Sequence, residues 1–154
     1  MSTVSKPRVF VLNGPNLNLL GQREPAAYGT QNYEDLVELV TRNANDLGIN
    51  VDVKQTNHEG LLIDWIHEAK AAANGIILNP ASLTHTSIGV RDAVLAANLP
   101  TIEVHISNVH AREEFRHHSF VSSVATTVIV GAGIFGYVLA LQNLSHILNQ
   151  GVAA

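Results

Sequence analysis

Five short, apolar and mostly β-branched runs alternate along the chain with longer stretches whose apolar residues step by three and four. The runs are residues 8–12 (RVFVL), 51–53 (VDV), 75–78 (GIIL), 101–104 (TIEV) and Thr127–Val130 (TVIV). Little polar alternation interrupts them, as expected for strands buried on both faces of a parallel sheet. Between them, Leu36, Val37, Val40, Ala44 and Leu47 form one helical stripe, with Thr30 or Asn32 to cap its start and Gly48 to stop it. Leu62, Trp65, Ile66, Ala69 and Ala73 form a second stripe. A third helix over about 87–98 has Val90, Ala93, Val94 and Ala97 on one face. Ile88, Leu95 and Leu99 lie on another face, with Asp92 among them. The last helix starts near Ile134 and carries Val138, Leu141, Leu144, Ile147 and Leu148.

This alternation predicts an α/β fold of right-handed crossovers: a flavodoxin-like three-layer sandwich with a five-stranded parallel sheet in the order 2-1-3-4-5. In such sheets the ligand site lies outside the carboxyl ends of the strands. The polar oddities of this sequence cluster there, after the first, third and fourth runs.

Composition narrows the chemistry. The chain has 154 residues, which fits a single catalytic domain (1–154) able to bury a core without metal or disulfide staples. Cysteine is absent, which excludes a disulfide framework, a thiolate nucleophile, Cys-ligated zinc and an iron–sulfur cluster. A net charge of −4 argues against a nucleic-acid partner. Residues 1–7 form a polar tail without a signal core, and no apolar run approaches the roughly 20 residues that span a bilayer. A cytoplasmic protein that uses no membrane is the expectation. Charged residues make up only 14% of the chain, below the roughly 25% of ordinary soluble domains. Part of the surface is therefore expected to be covered in a homo-oligomer.

Three segments carry the candidate chemistry. Residues 13–29 (NGPNLNLLGQREPAAYG) follow the first strand as a long loop, read either as plain surface or as a lid over residues 21–29. Arg23 and Tyr28 stand between Gly21 and Gly29, and neither a GxGxxG nor a Walker A pattern is present. Residues 79–87 (NPASLTHTS) open the third helix; Thr84, Thr86 and Ser87 are cap candidates, and His85 is a ligand-facing donor or a core histidine. In residues 103–118, Glu103 and His105 are two apart and share a strand face. A carboxylate beside an imidazole fixes its tautomer, as a general acid/base histidine requires. Metal binding by His105, His110, His117 and His118 is the competing reading, although the spacings match no zinc pattern. Arg112 and Arg116, four apart, would share a helical face and either bind an anion or pair with Glu113 and Glu114. His58, His67 and His146 read as turn or solvated residues.

Taken together, 13–29, 79–87, 102–119 (IEVHISNVHAREEFRHHS) and 130–137 (VGAGIFGY) resemble the type II 3-dehydroquinate dehydratases, over residues 8–148 and in the right order. The resemblance implies reversible trans-dehydration of 3-dehydroquinate to 3-dehydroshikimate through an enolate, with no metal and no organic cofactor, in the shikimate pathway or quinate catabolism. By the same resemblance Tyr28 is the base that removes the C2 proton. A free tyrosine ionises near pH 10, so Arg23 would supply the charge that lowers it. Asn16 would stabilise the enolate oxygen, and His105, oriented by Glu103, would protonate the departing C1 hydroxyl. Ile106 and Ser107 would bind the substrate carboxylate. Asn79, His85 and Arg116 would grip the carboxylate and ring hydroxyls, while Arg112 stands further from a direct role. Asp92 would reach in from a neighbouring subunit of a trimer, and trimers would assemble into a dodecamer.

Gln22, Leu83 and Phe135 depart from the family's usual residues; Gln22 and Leu83 are expected to border lid and pocket. A Schiff-base route to the same product needs a desolvated lysine. Lys6 lies in the tail, Lys54 points away from Val51 and Val53, and Lys70 sits on an amphipathic helix. The competing functions are a non-catalytic flavodoxin-like module for a small anion or nucleotide, and a metal-dependent hydrolase.

Overall fold

The computed structural model describes residues 4–22, 26 and 30–152. Its strands are β1 (Arg8–Asn13), β2 (Asn50–Gln55), β3 (Gly75–Asn79), β4 (Thr101–His105) and β5 (Thr127–Val130). Its longer helices are α1 (Tyr33–Asp46), α2 (Glu59–Ala72), α3 (Ile88–Ala97) and α4 (Phe135–Val152). All strand pairs are parallel and the order is β2-β1-β3-β4-β5, the flavodoxin-like arrangement that the alternation predicts.

Continuous apolar strands need a core on each side, and the structure has two. Val9 and Val11 of β1, Ile77 of β3 and Ile102 and Val104 of β4 pack against Leu36 and Val40 of α1 and Leu141 and Leu144 of α4. The alternate residues Phe10, Leu12, Ile76 and Leu78 pack against Leu62 and Ile66 of α2 and Val90 and Val94 of α3. A one-residue slip of any strand would exchange these two sets, so the packing also fixes the register. Among the described residues no helix is long and apolar enough to cross a membrane.

The helix ends are chemically specified. Asn32 and Asp35 form a reciprocal capping box on α1, with bonds of 2.8 and 2.9 Å, a device that contributes about 1 kcal/mol. Ser87 caps α3 by accepting from the N–H of Val90. Asn98 ends α3 in the left-handed conformation at φ 52°. That turn carries Leu99 off the helical wheel and into the core beside α2 and α3, so Leu99 does not join the outer face on which periodicity alone put it. Ile88 and Leu95 do remain on that face, 57% and 58% exposed.

Parallel register aligns the carboxyl ends of the strands. Asn13 of β1 lies between Gln55 of β2 and Asn79 of β3, and Leu78 pairs with Glu103 of β4. The loops that leave this edge are pressed together. The N–H of Gly14 donates to the carbonyl of Asn79 at 2.8 Å, and a Cβ at Gly14 would stand 2.4 Å from the carbonyl oxygen of Pro80.

Candidate active site

Above that edge lies a cavity of about 160 Å³, smaller than the roughly 300–1,000 Å³ of drug-sized pockets. The β1 loop contributes Asn16, the β3 loop Asn79 and His85, and the β4 loop His105, Ile106, Ser107, Arg112 and Arg116. Eight positions expected from the sequence, seven of them polar, thus converge, although they come from three separate stretches of chain. Among the described residues that line the cavity there are two guanidiniums and no carboxylate, an electrostatic setting suited to an anion.

The centre of the arrangement is His105. Its Nε2 lies 2.6 Å from Oε2 of Glu103, and both side chains are buried at the carboxyl end of β4. The hydroxyl of Ser122 donates to both oxygens of Glu103 at 3.0 Å, and that of Ser119 donates to Oε1 at 3.1 Å. A second cavity of about 380 Å³ adjoins the same pair and is bounded by Ser119, Ser122, Val128 and Val130.

His85 is oriented by the carbonyl of His118, 2.8 Å from its Nδ1. Burial, the largest influence, lowers its pKa below the ordinary histidine value, and the hydrogen bond to His118 opposes it. A neutral imidazole donating through Nδ1 has an acceptor at Nε2. The sequence reading has His85 as a donor; with Nδ1 bonded to the His118 carbonyl, Nε2 of the neutral ring is an acceptor.

Asn79 belongs to a buried polar network. Its Nδ2 donates to the Tyr137 hydroxyl at 2.8 Å, and its Oδ1 accepts from the N–H of Ala81 at 3.1 Å. Tyr137 in turn donates to Oδ1 of Asn13 at 2.6 Å, and Nδ2 of Asn13 donates to the carbonyl of Lys54 at 3.2 Å. Burial pushes the Tyr137 phenol far above its usual range, so it stays a neutral donor. Asn16 sits at φ 70°, a left-handed conformation that asparagine tolerates, with its N–H held by Oδ1 of Asn57 at 2.9 Å. Ala81 adopts φ 53°, which is costlier for a residue without a local polar anchor, and it borders the cavity.

Arg112 and Arg116 do not share a helix. Val109–Ala111 and Glu114–Arg116 are separate 3-10 turns, and Arg112 between them is extended at φ −106° and ψ −164°. Both guanidiniums nevertheless line the cavity. Nε of Arg116 donates to Glu113 at 2.7 Å, and Nη1 of Arg112 reaches the Ser107 hydroxyl at 3.4 Å. So the anion and ion-pair readings are not exclusive.

Other expected residues lie elsewhere. Asp92 is outside the cavity, its side chain 62% exposed and paired with Arg91 at 2.8 Å. Leu83 packs in the core beside α2 and α3 instead of bordering the pocket. Arg23 and Tyr28 lie outside the described residues, while Gly21 turns at φ 85°. Of the cap candidates in 79–87 only Ser87 caps a helix; Thr84 is buried against Ser119 at 2.5 Å. Lys54 lies over the rings of Phe10 and Trp65, and Nζ of Lys70 donates to the carbonyl of Ala96. Neither lysine lines the cavity. Among the described residues no three His, Asp or Glu side chains converge as a metal site would require. The sequence reading gave no role to Ser119, Ser122 and Tyr137. A buried Glu103 demands donors, and the serines of 119–123 (SFVSS) were the nearest unassigned supply.

Known proteins share both sequence and shape with this chain. It is 53% identical to 3-dehydroquinate dehydratase 2 of Pseudomonas putida over 148 residues, covering 96% of this chain and 99% of that one. It is 56% identical to 3-dehydroquinate dehydratase of Mycobacterium tuberculosis over 138 residues, covering 90% and 94%. Among solved structures, type II dehydroquinase from Propionibacterium acnes superposes with a TM-score of 0.88 at 46% identity, covering 94% of this chain and 99% of its own. The enzyme from Butyrivibrio crossotus gives 0.90 at 45% identity, covering 92% and 99%. The family model described as "Dehydroquinase class II" matches residues 7–145, from the start of β1 through most of α4, and with it the chain belongs to the class II dehydroquinases.

Proposed function

We propose that this chain is a type II 3-dehydroquinate dehydratase that removes water from 3-dehydroquinate by trans elimination to give 3-dehydroshikimate. The observation that carries the reading is the buried His105–Glu103 pair, 2.6 Å apart, at the wall of a cavity lined by Arg112 and Arg116. The substrate is a hydroxylated carboxylate, and this cavity offers cations for the carboxylate and neutral polar groups for the hydroxyls.

In the proposed reaction the Tyr28 phenolate, favoured by the charge of Arg23, takes the C2 proton next to the ketone. The C–H electrons form an enolate, whose oxygen the Asn16 amide stabilises directly or through water. The enolate reforms the ketone as the bond from C1 to its hydroxyl breaks. His105 gives that hydroxyl a proton, so it leaves as water; the proton on Tyr28 then returns to His105, and the enzyme is restored. Ile106, Ser107 and Arg116 hold the carboxylate, while Asn79 and His85 hold ring hydroxyls. No metal or organic cofactor enters this scheme, because the ketone beside C2 already makes the proton acidic.

We also infer a homo-oligomer, a dodecamer built as a tetramer of trimers, in which Asp92 completes a neighbour's cavity. Support comes from its place outside its own cavity, between the exposed Ile88 and Leu95. The reading places the enzyme in the cytoplasm, in the shikimate pathway or in quinate breakdown, which share this step.

The deciding experiment mixes purified protein with 3-dehydroquinate and follows the ultraviolet absorbance of the conjugated enone, with and without chelator. Growth in both samples is expected. No growth overturns the reaction, and growth abolished by chelator overturns the metal-free scheme. Tyr28→Phe is expected to remove nearly all turnover with substrate binding largely intact; wild-type kcat would dismiss Tyr28 as the base.

A further inference from the structure

We propose that Ser119 and Ser122 are positioning residues: their hydroxyls hold both oxygens of Glu103 as acceptors, so that His105 keeps its proton on Nε2 and presents Nδ1 to the substrate. The proposal rests on the reading of His105 as the acid of the dehydration.

The argument is a count of hydrogens. Glu103 is buried, so each of its oxygens needs donors. Two hydroxyl hydrogens serve them: that of Ser119 goes to Oε1 at 3.1 Å, and that of Ser122 is shared between Oε1 and Oε2, each at 3.0 Å. Ser119 has no freedom to turn away. Its oxygen already accepts the N–H groups of Val121 and Ser122, each at 3.2 Å, and its single hydrogen goes to Glu103. Thr84 lies 2.5 Å from the same oxygen; with the Ser119 hydrogen on Glu103, Thr84 is the donor of that contact, and the two longer N–H contacts share the remaining lone pair. A carboxylate surrounded by donated hydrogens is an acceptor towards its remaining neighbour. That neighbour is Nε2 of His105 at 2.6 Å, which therefore carries the hydrogen. A neutral His105 then has its lone pair on Nδ1, and the protonated form delivers its mobile proton from Nδ1.

Ser119 also ties this arrangement to the ligand-binding loop. Thr84 meets Ser119 through its side chain and accepts the N–H of Phe120 through its carbonyl at 2.8 Å. The next residue, His85, bonds the carbonyl of His118. Three consecutive contacts thus fasten the His85 loop to the segment that holds Glu103, so the substrate-binding imidazole and the acid imidazole share one support.

The test uses the full chain labelled with 15N-histidine, at a pH of about 8.5 where ordinary imidazoles are neutral. The wild type is expected to show His105 as the Nε2–H tautomer alone. Ser122→Ala is expected to show both tautomers and a kcat lowered about tenfold, equivalent to about 1.4 kcal/mol, with KM within about twofold. Ser122→Thr, which keeps a hydroxyl, is expected to restore the single tautomer and most of kcat. An Nδ1–H signal in the wild type overturns the proposal, as does Ser122→Ala with unchanged spectrum and kcat. Should Ser122→Ala fail to fold, the wild-type spectrum and Ser119→Ala decide in the same terms. The tautomer is read without turnover, so a protein inactive on 3-dehydroquinate whose spectra behave as expected overturns the reaction and supports the clamp.

Discussion

Removing one oxygen from the core, by Tyr137→Phe, tests whether the Asn13–Tyr137–Asn79 network supports both the fold and the site. The phenyl ring would keep the packing of Tyr137 against the α1–α4 core. Two buried groups would lose their partner: Oδ1 of Asn13, which accepts from the phenol, and Nδ2 of Asn79, which donates to it. Neither amide can turn to compensate, because Asn13 also donates to Lys54 and Asn79 also accepts from Ala81. A buried polar atom left unpaired costs about 1–3 kcal/mol, so two give about 2–4 kcal/mol after partial relaxation. At about 2–4 °C per kcal/mol for a domain of this size, Tm is expected to fall by about 5–15 °C. Calorimetry at fixed protein concentration measures it, with steady-state kinetics alongside. KM should rise as well, since Asn79 faces the cavity with its orientation released. A Tm within about 2 °C of wild type would refute the reasoning that Tyr33, which also bonds the Asn13 side chain, cannot replace the lost phenol.

Other positions test other links. Gly14→Ala places a methyl 2.4 Å from the Pro80 carbonyl and must part the β1 and β3 loops; we expect a loss of about 1–3 kcal/mol in denaturant melts together with reduced turnover. His85, whose pKa burial lowers, is expected to titrate by NMR below the ordinary value of 6.5. A depressed histidine pKa contributes stability that is present above the unfolded value and lost as pH falls through the folded one. KM should therefore rise in that acidic window, as Nε2 turns from acceptor to donor. Ile88→Asp with Leu95→Asp puts charges on the exposed face of α3; sedimentation is expected to show smaller species than wild type, and an unchanged distribution would dismiss that face as an interface.

Strand order was legible because uninterrupted apolar runs such as 8–12 need two covering layers, and the crossover rule then leaves few arrangements. The Glu103–His105 pair was legible too, since two residues apart on a strand is a geometric statement. The partners of Glu103 were not, because Ser119 and Ser122 meet it only through a fold-back of 16 and 19 residues. Helical spacing misled at Arg112 and Arg116. The Asn108 side chain caps a 3-10 turn there through the N–H of His110, and the chain then extends, so their nearness to one cavity owes nothing to a helical face. Leu99 was misplaced for a related reason: periodicity continues on paper past a left-handed Asn98 that ends it in space. The orientation of His85 depended on a carbonyl 33 residues away.

The two edges of the sheet divide their duties. Every described residue that lines the cavity leaves the carboxyl edge, where loops are long and their backbones pressed together. At the amino edge the connections are short. Ile49 folds back on Ala44, Asn74 donates to the carbonyl of Arg8, and Ile76 donates to that of Pro100. Sequence drift at that lower edge reaches the chemistry only through stability, whereas a change of one atom at the upper edge alters a distance to substrate. The fold thus concentrates selection on one rim and leaves the opposite rim open to neutral variation.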